Sequence, residues 1–183
     1  MIRLKKFVLS LKPVQWFLVS VLPHVRFSVA PPKMTGDKYM EFLERLEPGD
    51  IVFSNDRSKL AGMLIPGRWD HCGVFIGAGI IIEAHQPTVR KTTVFDFCHT
   101  SDEVGIGRHR LTPFWRDILE SAVGTPYDSW FEDDVNALYC SELVAELYPN
   151  RADLDYSDTM GLGSSYISPD GIWESMGLEK VMG

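Results

Sequence analysis

The chain has few cysteines, no long apolar run and no surplus of basic residues. Three cysteines in 183 residues cannot all pair, and their spacing suggests no disulfide framework. The expectation is a reducing compartment, or thiols kept for chemistry. No segment approaches the roughly 20 apolar residues that a membrane-crossing helix needs. The formal net charge of -7 argues against nucleic acid as the main partner, because phosphate binding calls for a basic surface. The first 33 residues lack any acid: Arg3, Lys5, Lys6, Lys12, Arg26 and Lys33 stand there unopposed, so the remainder is strongly acidic.

What is present suits an ordinary globular protein: 45% hydrophobic and 23% charged residues, in a length that fits one domain. Two regions are expected, a basic N-terminal segment and linker over 1–33 and a folded domain over 34–183. Leu4, Phe7, Val8 and Leu11 recur at helical spacing with Lys5, Lys6 and Lys12 between them, which predicts an amphipathic helix up to Pro13. The apolar run from Val14 to Leu22, with Trp16 and Phe17, is too short to span a bilayer. Residues 1–30 are therefore expected either to lie on an anionic membrane surface or to pack on their own domain. A cleaved secretory signal fits less well, since Lys12 and Pro13 interrupt its apolar stretch. The sequence leaves the compartment open and favours a cytoplasmic or membrane-associated protein over a secreted one.

Tyr39, Phe42, Leu43 and Leu46 predict a helix over 38–46. Strands are expected at 51–53, 71–76 and 80–84, the last two joined by a turn at Gly77-Ala78-Gly79, with further strands at 89–95 and 104–110. Helices follow from about Thr112 to Val123 and from Tyr139 to Tyr148, and Ser168-Pro169-Asp170 reads as the cap of a short last helix. Strands bracketed by helices make the chain α+β.

Two residues stand out chemically. Cys140 begins the second of these helices and shares a face with Leu143, Val144 and Leu147, so it should point inward against the sheet. A thiol becomes a nucleophile when its surroundings favour the thiolate. Glu142, Asp133 and Asp134 oppose that charge, so a neighbouring imidazolium is needed, and His71 at the start of a strand can supply it. A third group must then hold the ring. The returning strand offers Glu83 and His85, and an even-sum register would bring both to the face of His71. Glu83 is preferred because a carboxylate stabilises the charged ring. Taken singly, Cys140 and His71 would be ordinary core residues. Cys72 and Cys98 read as core thiols, with Cys72 on the strand face opposite to His71. His71, Cys72, His85, Cys98 and His99 match no zinc spacing, and no metal or organic cofactor is implied. Tyr127, Trp69, Trp130 and Phe131 are open as pocket-lining or core aromatics.

The ordered set Pro48-Gly49-Asp50-Ile51-Val52-Phe53, His71-Cys72-Gly73-Val74-Phe75, Ile82-Glu83-Ala84, Gly124-Thr125-Pro126-Tyr127-Asp128, Tyr139-Cys140-Ser141-Glu142-Leu143-Val144 and Ser168-Pro169-Asp170-Gly171-Ile172-Trp173 resembles the YiiX-like family. That family is the circularly permuted branch of the NlpC-type papain-like superfamily, and the resemblance runs from about Leu46 to Val181. It implies an antiparallel sheet packed on helices with the nucleophile at a helix N-terminus. It also implies Cys140 as nucleophile, His71 as base and Glu83 as orienting residue. The implied activity is that of a cysteine hydrolase or acyltransferase, acting on an amide or ester of a cell-wall peptide or a lipid through a thioester. The rival expectation is a non-catalytic module that binds peptide or lipid in the same cleft.

Overall fold

The structure is a computed structural model. It describes residues 34–56, 67–129, 136–154, 156–158 and 165–183, together with Phe17 and Val21. Most of the expected N-terminal segment over 1–33 therefore lies outside the described residues, as do Trp130, Phe131, Asp133 and Asp134. Among the described residues no helix is long and apolar enough to cross a membrane.

Helix α1 (Gly36–Arg45) starts where the Thr35 hydroxyl accepts the Lys38 N–H. Strand β1 (Ile51–Asn55) follows a turn in which the Asp50 carboxylate accepts the Glu47 N–H and binds the Arg108 guanidinium. Strands β2 (His71–Gly77) and β3 (Ile80–His85) form the expected hairpin, and β4 (Thr88–Thr93) returns after the two-residue link Gln86-Pro87. Helix α2 (Val94–Cys98), strand β5 (Glu103–Arg108) and helix α3 (Trp115–Ala122) come next. Helix α4 (Cys140–Ala145), a 3-10 turn at Arg151–Asp153, the pair β6 (Tyr156–Asp158) and β7 (Ser165–Ile167), helix α5 (Pro169–Trp173) and strand β8 (Glu179–Met182) complete the order.

Six strands make one antiparallel sheet in the order β4-β3-β2-β1-β5-β8. Side-chain alternation sends Ile51, Phe53, Cys72, Val74, Ile82 and Ala84 to one face, where Leu143, Val144 and Leu147 pack on them. Val52, Phe75, Ile81 and Ile106 go to the other face, under Phe42 of α1 and Phe97 of α2. Cys140 shares a buried cluster with Leu143, Val144 and Leu147, as the helical spacing requires.

Three differences from expectation have a readable cause, and the short β6–β7 pair was also unforeseen. The strand predicted over 89–95 stops at Thr93, whose hydroxyl accepts the Asp96 N–H and so opens α2. The helix predicted over 139–148 ends at Ala145, and its last turn tightens to Leu147 N–H to Val144 and Tyr148 N–H to Ala145 bonds. Strand β8 went unforeseen because its Glu179 and Lys180 are exposed and its remaining residues only half-buried, leaving little alternation to read. Trp69 is core: it is 1% exposed and packed with Phe53 and Trp173.

Candidate active site

His71 is the first residue of β2, and the β2–β3 register decides which side chains reach it. Val74 pairs with Ile82 and Phe75 with Ile81, an even sum, so both Glu83 and His85 fall on the His71 face. Of the two, Glu83 takes the ring: His71 Nε2 lies 2.6 Å from its Oε2. This is a diagonal contact, one step along from the pair directly opposite, and the long glutamate side chain spans it. The His85 ring stands edge-on to His71 at 5.9 Å and directs its own Nδ1 to the Gln86 carbonyl, 2.9 Å away. Gly73 leaves the room this arrangement needs. A Cβ there would lie 3.2 Å from the Glu83 Cβ and 2.9 Å from Ile81 Cγ2.

Glu83 is 2% exposed and would be costly as an isolated buried charge. Arg90 stands directly across from it on β4 and donates from Nε at 2.9 Å and Nη2 at 2.8 Å to its Oε1. One carboxylate oxygen thus serves His71 and the other Arg90. Burial alone would raise the Glu83 pKa, but the hydrogen bond and charge of His71, with Arg90, bring it to about 2.

The Cys140 sulfur meets β2 at its first two residues. It lies against the His71 side chain and against the thiol and backbone N–H of Cys72. With Nε2 given to Glu83, Nδ1 is the ring nitrogen left for the sulfur. The sulfur thus draws on both strand faces, Cys72 from its own side of the sheet and His71 from the other. Cys72 lies in the core, as expected, and it also adjoins the Cys140 sulfur. Its alternation was right, but α4 lies on the Cys72 side and brings the two thiols together.

The charges follow from these contacts. Hydrogen bonding by the Cys72 thiol, then by His71 with its positive charge, outweighs burial and holds Cys140 well below the usual thiol range. Burial would lower His71, yet its bonds to Cys140 and Glu83 and their charges raise it to about 10. Burial and the Cys140 charge push Cys72 up, so it stays a thiol and a donor. The arrangement therefore favours a thiolate, an imidazolium, a carboxylate and a guanidinium in sequence, charges that cancel. His85 is lowered, by burial and by the charge on His71, and remains neutral. Tyr127, half-buried against the same cluster, keeps its phenol proton because burial and the Cys140 charge both raise it. Glu142, expected to oppose the thiolate, instead turns back to accept the Tyr139 N–H at 3.4 Å.

A family model described as a permuted papain-like amidase enzyme, the YaeF/YiiX or C92 family, matches residues 45–183. The chain belongs to this family. A solved structure, described as metalloprotein yiiX from Escherichia coli O157:H7, aligns with a TM-score of 0.61 at 17% identity, covering 74% of this chain and 96% of that one. At that identity the likeness carries the fold, which is permuted papain-like with an antiparallel sheet and helices. No curated protein matches the chain.

The solved relative is described as a metalloprotein. In this chain both oxygens of the Glu83 carboxylate beside the site are already engaged, by His71 and by Arg90. Among the described residues no group of three or more His, Cys, Asp or Glu could hold a metal ion. Cys98 and His99 belong to α2 and its end, where they bond Val94 and Asp96 carbonyls. Sequence reasoning did not reach Arg90 or the partnership of Cys72. The short Gln86-Pro87 link was the available signal for Arg90, because pairing His85 with Thr88 sets Arg90 opposite Glu83.

Proposed function

We propose that this protein is a cysteine hydrolase that cleaves an amide or ester through a thioester on Cys140. The observation that carries the reading is the continuous chain of contacts Cys140–His71–Glu83–Arg90, which leaves a thiolate beside an imidazolium. The thiolate attacks the carbonyl carbon, forming the S–C bond as the π pair moves to oxygen. As the tetrahedral species collapses, His71 gives its proton to the leaving nitrogen or oxygen. Neutral His71 then takes a proton from water, whose oxygen attacks the thioester. The acid departs, and Cys140 returns as thiolate beside a protonated His71. Glu83 keeps Nε2 occupied throughout, so Nδ1 alone faces the reaction. An alcohol or amine taking the place of water would make the same site an acyltransferase.

The substrate classes consistent with this chemistry are peptide amides and lipid esters. Mass measurement of the intact protein after brief exposure to each class tests the reading. An acyl adduct on Cys140, absent from Cys140→Ala, is expected with one of them. Turnover by Cys140→Ala would contradict the assignment.

A further inference from the structure

Cys140 is not the only thiol at the site, and the mechanism above uses Cys72 only as a hydrogen-bond donor. All three cysteines are free and buried. Cys72 comes from β2, where Phe53 is its partner on β1, and Cys140 from the start of α4. The two share one packed cluster, in which the two thiols are neighbours. Cys98 lies in the cluster on the opposite face, its thiol donating to the Val94 carbonyl at 2.9 Å. Two sulfurs already in contact, from two packed elements, need little movement to reach disulfide geometry, in which the Cβ atoms lie about 3.5–4.5 Å apart.

We propose that Cys72 and Cys140 form a reversible redox pair, in which a hydroperoxide joins the two sulfurs as a disulfide and takes the nucleophile out of use. The Cys140 thiolate attacks one peroxide oxygen. An S–O bond forms, the O–O bond breaks, and the departing hydroxide takes a proton from the His71 imidazolium. Cys140 is then a sulfenic acid and His71 is neutral. Cys72 passes its proton to His71 and attacks the Cys140 sulfur. The S–S bond forms, the S–O bond breaks, and the hydroxide leaves as water with that proton. Two thiols have lost two electrons, and hydrogen peroxide has become two waters.

The surroundings favour this order. Before oxidation the Cys140 charge helps to keep the proton on Cys72. Sulfenic acid formation removes that charge, so Cys72 becomes easier to deprotonate at the moment it is needed. Capture by Cys72 also prevents further oxidation of Cys140 to the sulfinic acid, which ordinary dithiols do not reverse.

This inference rests on the Cys140 thiolate and on no particular substrate. The test exposes the full chain to hydrogen peroxide, blocks remaining thiols with iodoacetamide and maps peptides by mass without reduction. The expected product is two hydrogens lighter, with Cys72 joined to Cys140 and Cys98 alkylated after denaturation. Dithiothreitol should return both thiols. In Cys72→Ser and Cys72→Ala the same treatment should leave Cys140 two oxygens heavier and beyond rescue by dithiothreitol. A sulfinic Cys140 beside a free Cys72 in the unaltered protein would overturn the pair, as would a disulfide to Cys98 or to a second chain, or no oxidation at all. Iodoacetamide labelling of the untreated protein separates the two ideas: a reactive Cys140 that forms no disulfide sinks the redox pair alone, whereas an unreactive one sinks the proposed nucleophile as well.

Discussion

Cys98 and Cys140 are buried on opposite faces of the same sheet, at 0% and 3% exposure. Cys98 donates its thiol to the Val94 carbonyl within the other buried cluster, and burial pushes it up to about 12. Cys140 is just as enclosed, yet donors from β2 and the charge of His71 hold it well below the usual range. The histidines differ in the same way. His71 and His85 are neighbours on adjacent strands, but only His71 touches both a thiolate and a carboxylate, and it rises where His85 falls. Burial alone makes these groups inert, and specific hydrogen bonds together with an opposite charge reverse its effect.

The largest expected effects come from removing either half of the ion pair. Cys140→Ala and His71→Ala should each lower kcat by about 10^4-fold or more, as removal of a member of a unit that acts together does. Cys98→Ala should leave kcat unchanged and cost about 1 kcal/mol or so of stability. Steady-state kinetics and urea unfolding check all three, and a damaged kcat in Cys98→Ala would erase the distinction between the two faces.

Glu83→Gln sharpens it. The amide can still accept from Nε2, but the imidazolium loses its stabilising charge, so kcat should fall by about 10^2- to 10^4-fold. The His71 pKa, followed by NMR, should drop below its present value of about 10. If His85→Ala proved the more damaging change, the orienting role would belong to His85.

Stability against pH offers a third test. His71, raised from 6.5 to about 10, contributes stability that is full below pH 6.5 and lost as pH rises through about 10. Cys140, lowered from 9.0, contributes stability present above pH 9.0 and lost as pH falls through its folded value. Between 6.5 and 9.0 one declines as the other grows, because folded and unfolded forms of the pair each hold one proton. Urea midpoints should therefore be level across that window and fall on both sides. Glu83, lowered from 4.5 to about 2, adds to the acid loss: its contribution is present above 4.5 and disappears as pH falls towards 2. In Cys140→Ala the level stretch should tilt downward with rising pH.

The smallest effect belongs to Arg90→Ala. Arg90 is half-exposed and acts on His71 only through Glu83, so a fall in kcat of about fivefold or less is expected. Arg90→Lys should recover part of it, and the alkaline fall of the rate profile should move with the His71 pKa in Arg90→Ala.

Local pattern in the sequence carried much of the fold. The β2–β3 hairpin was legible because Gly77-Ala78-Gly79 separates two apolar runs, and α4 because Cys140, Leu143, Val144 and Leu147 keep one face. The hairpin offered Glu83 and His85 as partners of His71, and parity could not choose between them, since that needs the register and the length of a side chain. Cys72 stayed hidden because its contact depends on which face α4 covers, a matter of tertiary packing. Helix α2 was masked by Val94 and Phe95, which suit a strand by type, while the cap at Thr93 works at shorter range than that propensity.

The central claim is that Cys140 is a thiolate held by His71, and the pH dependence of its alkylation tests this most directly. Iodoacetamide should label Cys140 of the intact protein at a nearly constant rate from pH 6.5 to 9.0, while buried Cys98 remains unlabelled. In His71→Ala the Cys140 rate should instead climb steeply towards alkaline pH, as for an ordinary thiol. A wild-type rate that climbs in the same way, matching His71→Ala, would contradict the account.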